Sequence, residues 1–360
     1  MVSSLQHGKH AVLVENGAGL AASFSDQEYL QAGAQVLPDA TSLYESADVI
    51  LKVQPPQIHP TLQKDEAEFL REGSIYIGFL APLANPDVVK IFVRRRITSF
   101  AMEYIPRISR AQSMDALSSM STISGYKAVL LATEKLGKML PLLMTAAGTV
   151  PPATILVLGA GVAGLQAIAT ARRLGAKVEA FDPRPVVQEQ VRSLGASFIE
   201  MEIPQDIETA GGYAKEQSAE FLKKEMETIG ARLPKVDAVI CTAQVFGKRA
   251  PLLISEEMVK LMRPGSVIVD LAAEQGGNCA LTKPAETVEQ YGVNIIGPVN
   301  LPASIPVDAS RMYSKNVTTL FRQLFPKPES SLDLDDEIAR GCCITHGGEI
   351  VNDLIKKSLG

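Results

Sequence analysis

The chain has 360 residues, enough for two domains with separate hydrophobic cores. Its composition, 46% hydrophobic and 21% charged, is typical of a globular protein, and a net charge of −5 without any cluster of basic and aromatic residues argues against a nucleic-acid partner. The four cysteines lack the spacing of metal ligands, so we expect no metal site, and without a signal peptide they indicate a reducing compartment.

The first third alternates predicted strands and helices, a pattern that indicates a parallel, doubly wound sheet. Ser25 and Glu28 have the spacing of a capping box and predict a helix that runs towards Ala32. The predicted strands are 10–15, 48–53, 74–79 and 97–103, and the other predicted helices are 59–71, ended by Gly73, and 85–93.

A polar segment over 104–117 leads into a long predicted helix over 118–138. No charged residue then occurs between Met139 and Ala171, a stretch long enough to cross a bilayer. Prolines and glycines interrupt this stretch, and its second half has the pattern of a buried parallel strand followed by a helix. We therefore expect no insertion into a membrane.

That strand and helix flank Gly159-Ala-Gly161-Val-Ala-Gly164, and a second strand, 177–181, ends at Asp182. Strand, glycine turn, helix, strand and acid have the order and spacing of a dinucleotide-binding βαβ unit. In such a unit the first glycine makes the tight turn, the second admits the pyrophosphate, and the third lets the helix pack close to the strand. The helix N-terminus attracts the phosphates, so the pattern predicts a nucleotide site.

The residues after the second strand bear on the identity of the nucleotide. Asp182 suits a ribose 2′-hydroxyl and repels a 2′-phosphate, which favours NAD over NADP. Arg184 weakens this argument, because an arginine at this place can hold a 2′-phosphate.

The rest of the chain continues the α/β pattern. Between Pro204 and Pro234 lies a polar insertion whose glycine-rich front half is either a mobile lid or a variable surface loop. The remaining predicted strands are 196–200, 236–242, 266–271 and 293–296, and the remaining helices are 216–229, 256–262 and 311–324, before an acidic segment at 333–337 that we expect to pack back on the first domain.

These elements predict two Rossmann-like doubly wound domains with parallel sheets, joined by long helices, with a cleft between them. The predicted first domain is discontinuous and comprises residues 1–120 and 307–360. The predicted nucleotide-binding domain comprises residues 121–306.

No obvious acid–base residue accompanies the nucleotide site. The histidines at 7, 10, 59 and 346 lie near the chain ends or at the ends of predicted elements, and each is consistent with a structural or solvated role. Lys52 is a better-placed cation, but a lone lysine is weak evidence. The polar segment gathers two arginines, an amide, an acid and hydroxyls within residues 107–119, a set that can hold a carboxamide and ribose hydroxyls or, alternatively, form a solvated turn that caps a helix.

This polar segment, followed by Ser124-Gly-Tyr-Lys-Ala128, closely resembles the signature of the NAD(H)-binding alpha subunit (domain I) of proton-translocating nicotinamide nucleotide transhydrogenase. The resemblance extends over about residues 10–340 and includes the glycine turn and the segments 145–148, 181–184, 211–215 and 270–278.

The resemblance implies an oxidoreductase that passes hydride directly between NAD(H) on this chain and NADP(H) on a partner subunit. It also implies a homodimer, association with NADP(H)-binding and membrane-spanning subunits, and a cytoplasmic position peripheral to the inner or plasma membrane. Direct transfer between two nicotinamides needs alignment more than acid–base groups, which agrees with the lack of a well-placed histidine.

The family's site residues carry over by matching position. The resemblance implies that Arg107, Gln112, Asp115 and Ser118 surround the nicotinamide and its ribose, with Gln112 nearest the partner's nucleotide, and that Tyr213 belongs to a lid. The cofactor-binding set that it implies is Arg107, Ile108, Ser109, Arg110, Gln112, Ser113, Met114, Asp115, Gly159, Ala160, Gly161, Val162, Gly164, Asp182, Pro183, Arg184, Gly212, Tyr213, Thr242, Ala243 and Gln244.

One departure and two alternatives accompany this interpretation. Family members normally begin with a further strand and helix before the segment matching His10, so we expect the first domain to have a short N-terminus. An alanine dehydrogenase-type enzyme has the same architecture and a lysine resembling Lys52, but it calls for a catalytic histidine where this chain has Leu80-Ala-Pro-Leu83. The other alternative is an NAD(H)-binding subunit without catalysis.

Overall fold

The computed structural model describes residues 1–60, 62–201, 219–245, 247–327 and 331–359. The chain divides into two compact units. The first unit comprises Met1–Met120 and Ile305–Gly360, and the second comprises Ser121–Ser304. Both units are built from parallel strands and helices, which confirms the predicted α/β class.

The elements follow one another along the chain in four groups. The first group is α1 (Val2–His7), β1 (Leu13–Glu15), α2 (Asp26–Gln31), β2 (Gln35–Leu37), α3 (Ala40–Ser46), β3 (Val49–Leu51), β4 (Ile75–Gly78), α4 (Pro86–Arg94) and β5 (Thr98–Ala101). The second is α5 (Ala116–Lys135), β6 (Leu143–Thr145), β7 (Gly148–Val150), β8 (Thr154–Leu158), α6 (Val162–Arg173), β9 (Lys177–Phe181), α7 (Gln188–Ser193) and β10 (Ser197–Phe198). The third is α8 (Ala219–Gly230), β11 (Ala238–Cys241), α9 (Glu256–Val259), β12 (Val267–Asp270), β13 (Thr287–Gln290) and β14 (Val293–Ile296). The last is α10 (Pro306–Leu324), α11 (Glu337–Cys342), β15 (Cys343–His346), β16 (Glu349–Ile350) and α12 (Asp353–Leu359).

The second unit contains a seven-stranded sheet in the order β10-β9-β8-β11-β12-β14-β13. All neighbours pair in parallel except β13, which runs antiparallel to β14 at one edge. Ile155 and Val157 of β8 pack in one hydrophobic core, and Leu156 and Leu158 pack in another on the opposite face. The continuous apolar run in the sequence therefore reflects a strand that is buried on both faces.

The first unit contains a five-stranded sheet in the order β16-β15-β5-β4-β3, and β1 and β2 form a separate parallel pair. Strands β3, β4 and β5 are parallel, whereas β15 is antiparallel to β5. The hydroxyls of Ser99 and Thr345 are 2.7 Å apart and join these two strands inside the core. The sequence prediction of a helix and an acidic segment after residue 306 missed β15 and β16, which complete this sheet.

The capping box is confirmed, because the Ser25 hydroxyl accepts from the Glu28 amide and the Glu28 carboxylate accepts from the Ser25 amide at the start of α2. The helix predicted over 59–71 is wrong. Only a 3-10 helix over Glu66–Glu68 forms there among the described residues. Glu66 and Gln57 exchange hydrogen bonds that close the intervening chain into a loop, since the Gln57 amide donates to the Glu66 carboxylate and the Glu66 amide donates to the Gln57 carbonyl, both at 2.9 Å.

Within the second unit, α5 crosses the first turn of α6 at very short range. A Cβ added to Gly125 would lie 2.1 Å from the carbonyl oxygen of Ala163, well inside van der Waals contact. Glycine in the middle of a helix has a low helix propensity, so its presence here is explained by this close approach.

We expect Gly125→Ala to destabilise the second unit by about 1–3 kcal/mol, because the methyl group overlaps a backbone carbonyl that cannot rotate away. Chemical unfolding followed by circular dichroism measures the change. Gly137→Ala is the matched control, since a Cβ at Gly137 would meet no described residue within 4 Å. Equal stability of the two variants would contradict the proposed packing constraint.

Candidate nucleotide site

The strand order of the second unit reverses between β8 and β11. At such a reversal the loops that leave the two neighbouring strands turn to opposite sides, and a crevice opens at the carboxyl edge of the sheet. Here these loops are the glycine turn, 159–164, and the segment 242–244, which both belong to the predicted cofactor-binding set. The fold therefore brings these two sequence-distant segments together.

Two glycines of the turn are required by the backbone. Gly159 has a φ of +94°, and a Cβ there would lie 2.6 Å from Oγ1 of Thr242. A Cβ at Gly164 would lie 1.9 Å from the carbonyl oxygen of Gly159. The first position thus needs a left-handed conformation, and the third needs the absence of a side chain for α6 to pack on the turn.

Gly161 differs from the other two glycines because a Cβ there would meet no atom of the described residues within 4 Å. It is the N-cap residue of α6, and within the described residues no side chain caps this helix. No acidic residue lies in the first turn, so the amides and the positive end of the helix dipole adjoin open space. These features fit the pyrophosphate of a dinucleotide, with a main-chain contact at Val162. The Ala160 amide is not available for such a contact, because it donates to Asp182.

Asp182 is buried at the end of β9 and bonds to both the glycine turn and Arg184. Its Oδ2 accepts from the Ala160 amide at 2.7 Å and from Nη2 of Arg184 at 2.8 Å. Its Oδ1 accepts from the amide and Nε of Arg184, each at 2.9 Å. Arg184 neutralises the charge of the Asp182 carboxylate, and only Pro183 separates the two residues in the chain. A 2′-substituent of the ribose would therefore meet the paired charges and not a lone acid or a lone base.

A second buried acid, Glu225 of α8, lies near this pair, and the sequence analysis did not single it out. Phe221, Glu225 and Ile229 are spaced four residues apart on the buried face of the helix. The sequence held one signal for the burial of Glu225: it lies at helical spacing between two apolar residues, Phe221 and Ile229. Burial, with a further contribution from the charge of Asp182, raises the pKa of Glu225 to about 7.

The segment after β11 forms the other wall of the crevice. The Thr242 hydroxyl lies within hydrogen-bonding distance of two carbonyl oxygens, Leu158 at 3.1 Å and Gly159 at 2.9 Å. Nε2 of Gln244 donates to the carbonyl of Leu271 at 2.8 Å, and the amide of Ala243 is bonded to a buried asparagine, Asn278. The wall is therefore tied both to the turn and to the neighbouring strand end.

The predicted nicotinamide-binding segment lies in the first unit and includes a 3-10 helix over Ser109–Met114. Ala111 and Met114 face the core of that unit, as their spacing of three residues requires, and Ile108 packs beside them. The exposed residues of the segment are Arg107, Ser109, Arg110, Gln112 and Ser113. Nη1 of Arg110 forms an ion pair with Asp336 at 2.7 Å.

Asp115 caps α5, so the helix cap weighed from the sequence is present. Its Oδ1 accepts from the Ser118 amide at 2.8 Å and its Oδ2 from the Ser118 hydroxyl at 2.6 Å. The two side chains bond to each other. Each carboxylate oxygen still has a further lone pair that can accept from a ligand.

The remaining residues singled out from the sequence are those of the predicted lid and those that bear on the alanine dehydrogenase alternative. Gly212 and Tyr213, and with them the predicted lid, fall outside the described residues. Lys52 forms an ion pair with Glu66. The segment in which the alanine dehydrogenase alternative calls for a histidine, Leu80-Ala-Pro-Leu83, begins with Leu80, which is completely buried, and continues with Ala81, which is exposed.

Structural contacts account for three of the imidazoles. His10 packs edge-on against Phe321, His59 against Phe69, and Nδ1 of His346 lies 3.0 Å from the Thr98 hydroxyl. Across the described ranges, no group of three or more His, Cys, Asp or Glu residues has an arrangement that could hold a metal ion. Nor does any helix there combine the length and apolar character needed to cross a membrane.

Comparison with known proteins covers nearly the whole chain. Residues 1–124 match the family model for the alanine dehydrogenase/PNT N-terminal domain, and residues 128–353 match that for the C-terminal domain. The chain is 48% identical over 347 residues to an NAD(P) transhydrogenase subunit alpha polypeptide of Rhodospirillum rubrum, across 95% of this chain and 90% of that one.

Two solved structures are similar throughout. The transhydrogenase from Sinorhizobium meliloti has a TM-score of 0.86 at 42% identity, covering 97% of this chain and 94% of that one. An L-alanine dehydrogenase has a TM-score of 0.81 at 27% identity, covering 99% and 92%. The architecture is therefore common to two kinds of enzyme, and the site residues have to distinguish them.

The raised pKa of Glu225 predicts a pH-dependent loss of stability. A carboxyl whose native pKa is about 7, against an ordinary value of 4.5, binds its proton more tightly in the folded state. The resulting stabilisation is present below about pH 4.5 and is lost as the pH rises through about 7. We expect Glu225→Gln to gain about 1–3 kcal/mol over the wild type at pH 8 and much less at pH 5.

Urea unfolding at both pH values measures this difference. Glu220→Gln is the control, because Glu220 is exposed on the same helix. A stability difference between Glu225→Gln and the wild type that is the same at pH 5 and pH 8 would contradict the raised pKa.

Proposed function

The chain belongs to the alanine dehydrogenase/PNT family, with transhydrogenase alpha subunits among its relatives, and we propose that it is the NAD(H)-binding component of a proton-translocating NAD(P) transhydrogenase. In this role it passes hydride directly between its NAD(H) and NADP(H) on a partner subunit. The observation that carries the proposal is the open space at Gly161, beside the uncapped N-terminus of α6 in the described residues.

The proposed cofactor contacts are assigned residue by residue. The glycine turn and the start of α6 bind the pyrophosphate, and Asp182 with Arg184 binds the adenosine ribose. Thr242, Ala243 and Gln244 line the pocket, while Gly212 and Tyr213 belong to a lid. Arg107, Gln112, Asp115 and Ser118 hold the nicotinamide and its ribose, and they do so by hydrogen bonds, without donating or removing a proton. When bound, NADH would donate the hydride and NAD would accept it.

Gln112 is the residue that we propose lies nearest the partner's nucleotide. It is exposed, whereas Ala111 and Met114 on the same 3-10 helix are packed in the core. A neutral amide on a segment fixed in this way can align a nicotinamide by hydrogen bonds without exchanging a proton with it. Alignment is the main requirement of hydride transfer between two bound cofactors.

An amino-acid dehydrogenase is the less favoured function. Such an enzyme needs a cation and a proton-transferring group beside its substrate. Here Lys52 is paired with Glu66, and the segment in which such an enzyme has its catalytic histidine, Leu80-Ala-Pro-Leu83, contains no histidine. Alanine-dependent reduction of NAD by the purified chain would overturn the transhydrogenase proposal.

The direct test mixes the purified chain with the NADP(H)-binding component of a transhydrogenase. Reduction of an NAD analogue by NADPH is followed by the absorbance of the reduced analogue. We expect transfer that depends on both proteins. Binding of NADH without any transfer would instead support the alternative of a non-catalytic NAD(H)-binding subunit.

In the same assay we expect Gln112→Ala to slow transfer by about tenfold or more, because alignment of the nicotinamides is lost. The dissociation constant for NADH, measured by fluorescence titration, should change by less than about threefold, roughly 0.7 kcal/mol. Gln190→Ala, at an exposed glutamine of α7 outside the proposed site, is the control. Loss of NADH binding in Gln112→Ala would make Gln112 an anchor rather than an aligning residue.

We also propose that the chain is a homodimer that associates with NADP(H)-binding and membrane-spanning subunits, on the cytoplasmic side of the inner or plasma membrane. The hairpin of β6 and β7 supports self-association. Met144 in this hairpin is 84% exposed, and Met139 and Leu142 nearby are each 57% exposed. Large apolar side chains grouped on a surface hairpin are typical of an interface.

If this hairpin forms the dimer interface, Met144→Asp should shift the protein from dimer to monomer, since a carboxylate would be buried against a second copy. Light scattering coupled to gel filtration measures the mass. Leu20→Asp, at a residue that is 65% exposed in the first unit, is the control. A dimer that persists in Met144→Asp would exclude the hairpin as the interface.

A further inference from the structure

A buried asparagine, Asn278, is hydrogen-bonded to the segment 242–244, the wall of the crevice that lies opposite the glycine turn. After β12 the chain turns back sharply, because Gly276 and Gly277 have φ values of +96° and +77°. This turn brings Asn278 beside the end of β12. There the Asn278 amide donates to Oδ2 of Asp270 at 2.7 Å, so the position of the asparagine is fixed relative to the sheet.

Asp270 is itself a firm anchor. It is completely buried, and its Oδ2 also accepts from the Cys279 amide at 3.0 Å and the Thr282 hydroxyl at 2.7 Å. Its Oδ1 accepts from the amide of Ala272 at 3.0 Å. A carboxylate with this many partners holds the returning chain in one register.

The Asn278 side chain forms hydrogen bonds with both the amide and the carbonyl of Ala243. Its Oδ1 accepts from the Ala243 amide at 3.1 Å, and its Nδ2 donates to the Ala243 carbonyl at 2.9 Å and to the Pro251 carbonyl at 2.8 Å. The side chain is fully buried. One side-chain amide, that of Asn278, therefore fixes the positions of both main-chain polar groups of Ala243. Ala243 directly adjoins the glycine turn, since a Cβ at Gly159 would lie 3.1 Å from its nitrogen.

The side of the crevice is informative. Asp182, at the end of β9, marks the adenosine half of a dinucleotide site, and the glycine turn after β8 marks the pyrophosphate. In the sheet order β9-β8-β11, the segment 242–244 lies on the opposite side of β8 from Asp182. It therefore borders the half of the ligand beyond the pyrophosphate, the nicotinamide half.

We propose that Asn278 is a positioning residue for the nicotinamide half of the site: it fixes Ala243, and through it the 242–244 wall, without touching the ligand. This inference rests on the proposed NAD(H)-binding function. It deepens that function by assigning the geometry of one half of the site to a residue beneath its surface.

The test compares two ligands. ADP spans the adenosine ribose and the glycine turn only, whereas NADH also reaches the 242–244 wall. Asn278→Asp removes both donors and places a carboxylate oxygen against the carbonyls of Ala243 and Pro251, which displaces the wall. We expect the dissociation constant for NADH to rise about tenfold, equivalent to about 1.4 kcal/mol, and that for ADP to stay within about twofold.

The ratio of the two constants separates positioning from general damage. Ile229→Ala, a core substitution in the same unit, should lower the melting temperature without changing the ratio of NADH to ADP affinity. Both ligands carry phosphates, so added negative charge alone weakens both. Asn278→Ser removes the side-chain amide without adding charge. If Asn278→Asp does not fold, the ratio of the two dissociation constants in Asn278→Ser tests the inference in its place.

An unchanged ratio in the folded Asn278 variants would overturn the inference, whether both affinities fall together or neither falls. Failure of the wild-type chain to bind NADH would instead refute the proposed function, and so the two ideas fail separately.

Discussion

The contact between Gly164 and the carbonyl of Gly159 is the constraint on which the nucleotide site depends. There is no room for even one methyl group between α6 and the turn that precedes it. This closeness directs the start of the helix towards the crevice at the reversal of the sheet. The open position at Gly161, the bond from Ala160 to Asp182 and the approach of Thr242 to the turn all lie around this contact.

The sequence predicted those regions of the fold that local physics controls. The capping box at Ser25, the central strands and the glycine turn have signatures within a few residues, and their positions agree with the structure. The helix over 59–71 failed because hydrogen bonds between Gln57 and Glu66 outweigh a modest local preference. Strand β15 was missed because it is defined by pairing with β5, far away in the sequence.

The candidate site divides in the same way. The glycines and Asp182 follow from motif spacing, whereas the 3-10 helix over Ser109–Met114 and its exposed side are known only from the structure. The bidentate pair of Asp182 and Arg184 and the grip of Asn278 on Ala243 depend on side-chain geometry in the folded chain. Spacing alone gives the residues but cannot show that one charge cancels another.

The antiparallel pairing of β15 with β5 has a consequence for biosynthesis. Strand β5 leaves the ribosome before any of the second unit is made, whereas β15 follows only after all of it. Until then one edge of β5 has unpaired amides and carbonyls, which are a template for pairing with other chains. The second unit can fold co-translationally in the interval, while the first waits for its last strands. Nascent chains halted before Cys343 are therefore the species most in need of chaperones.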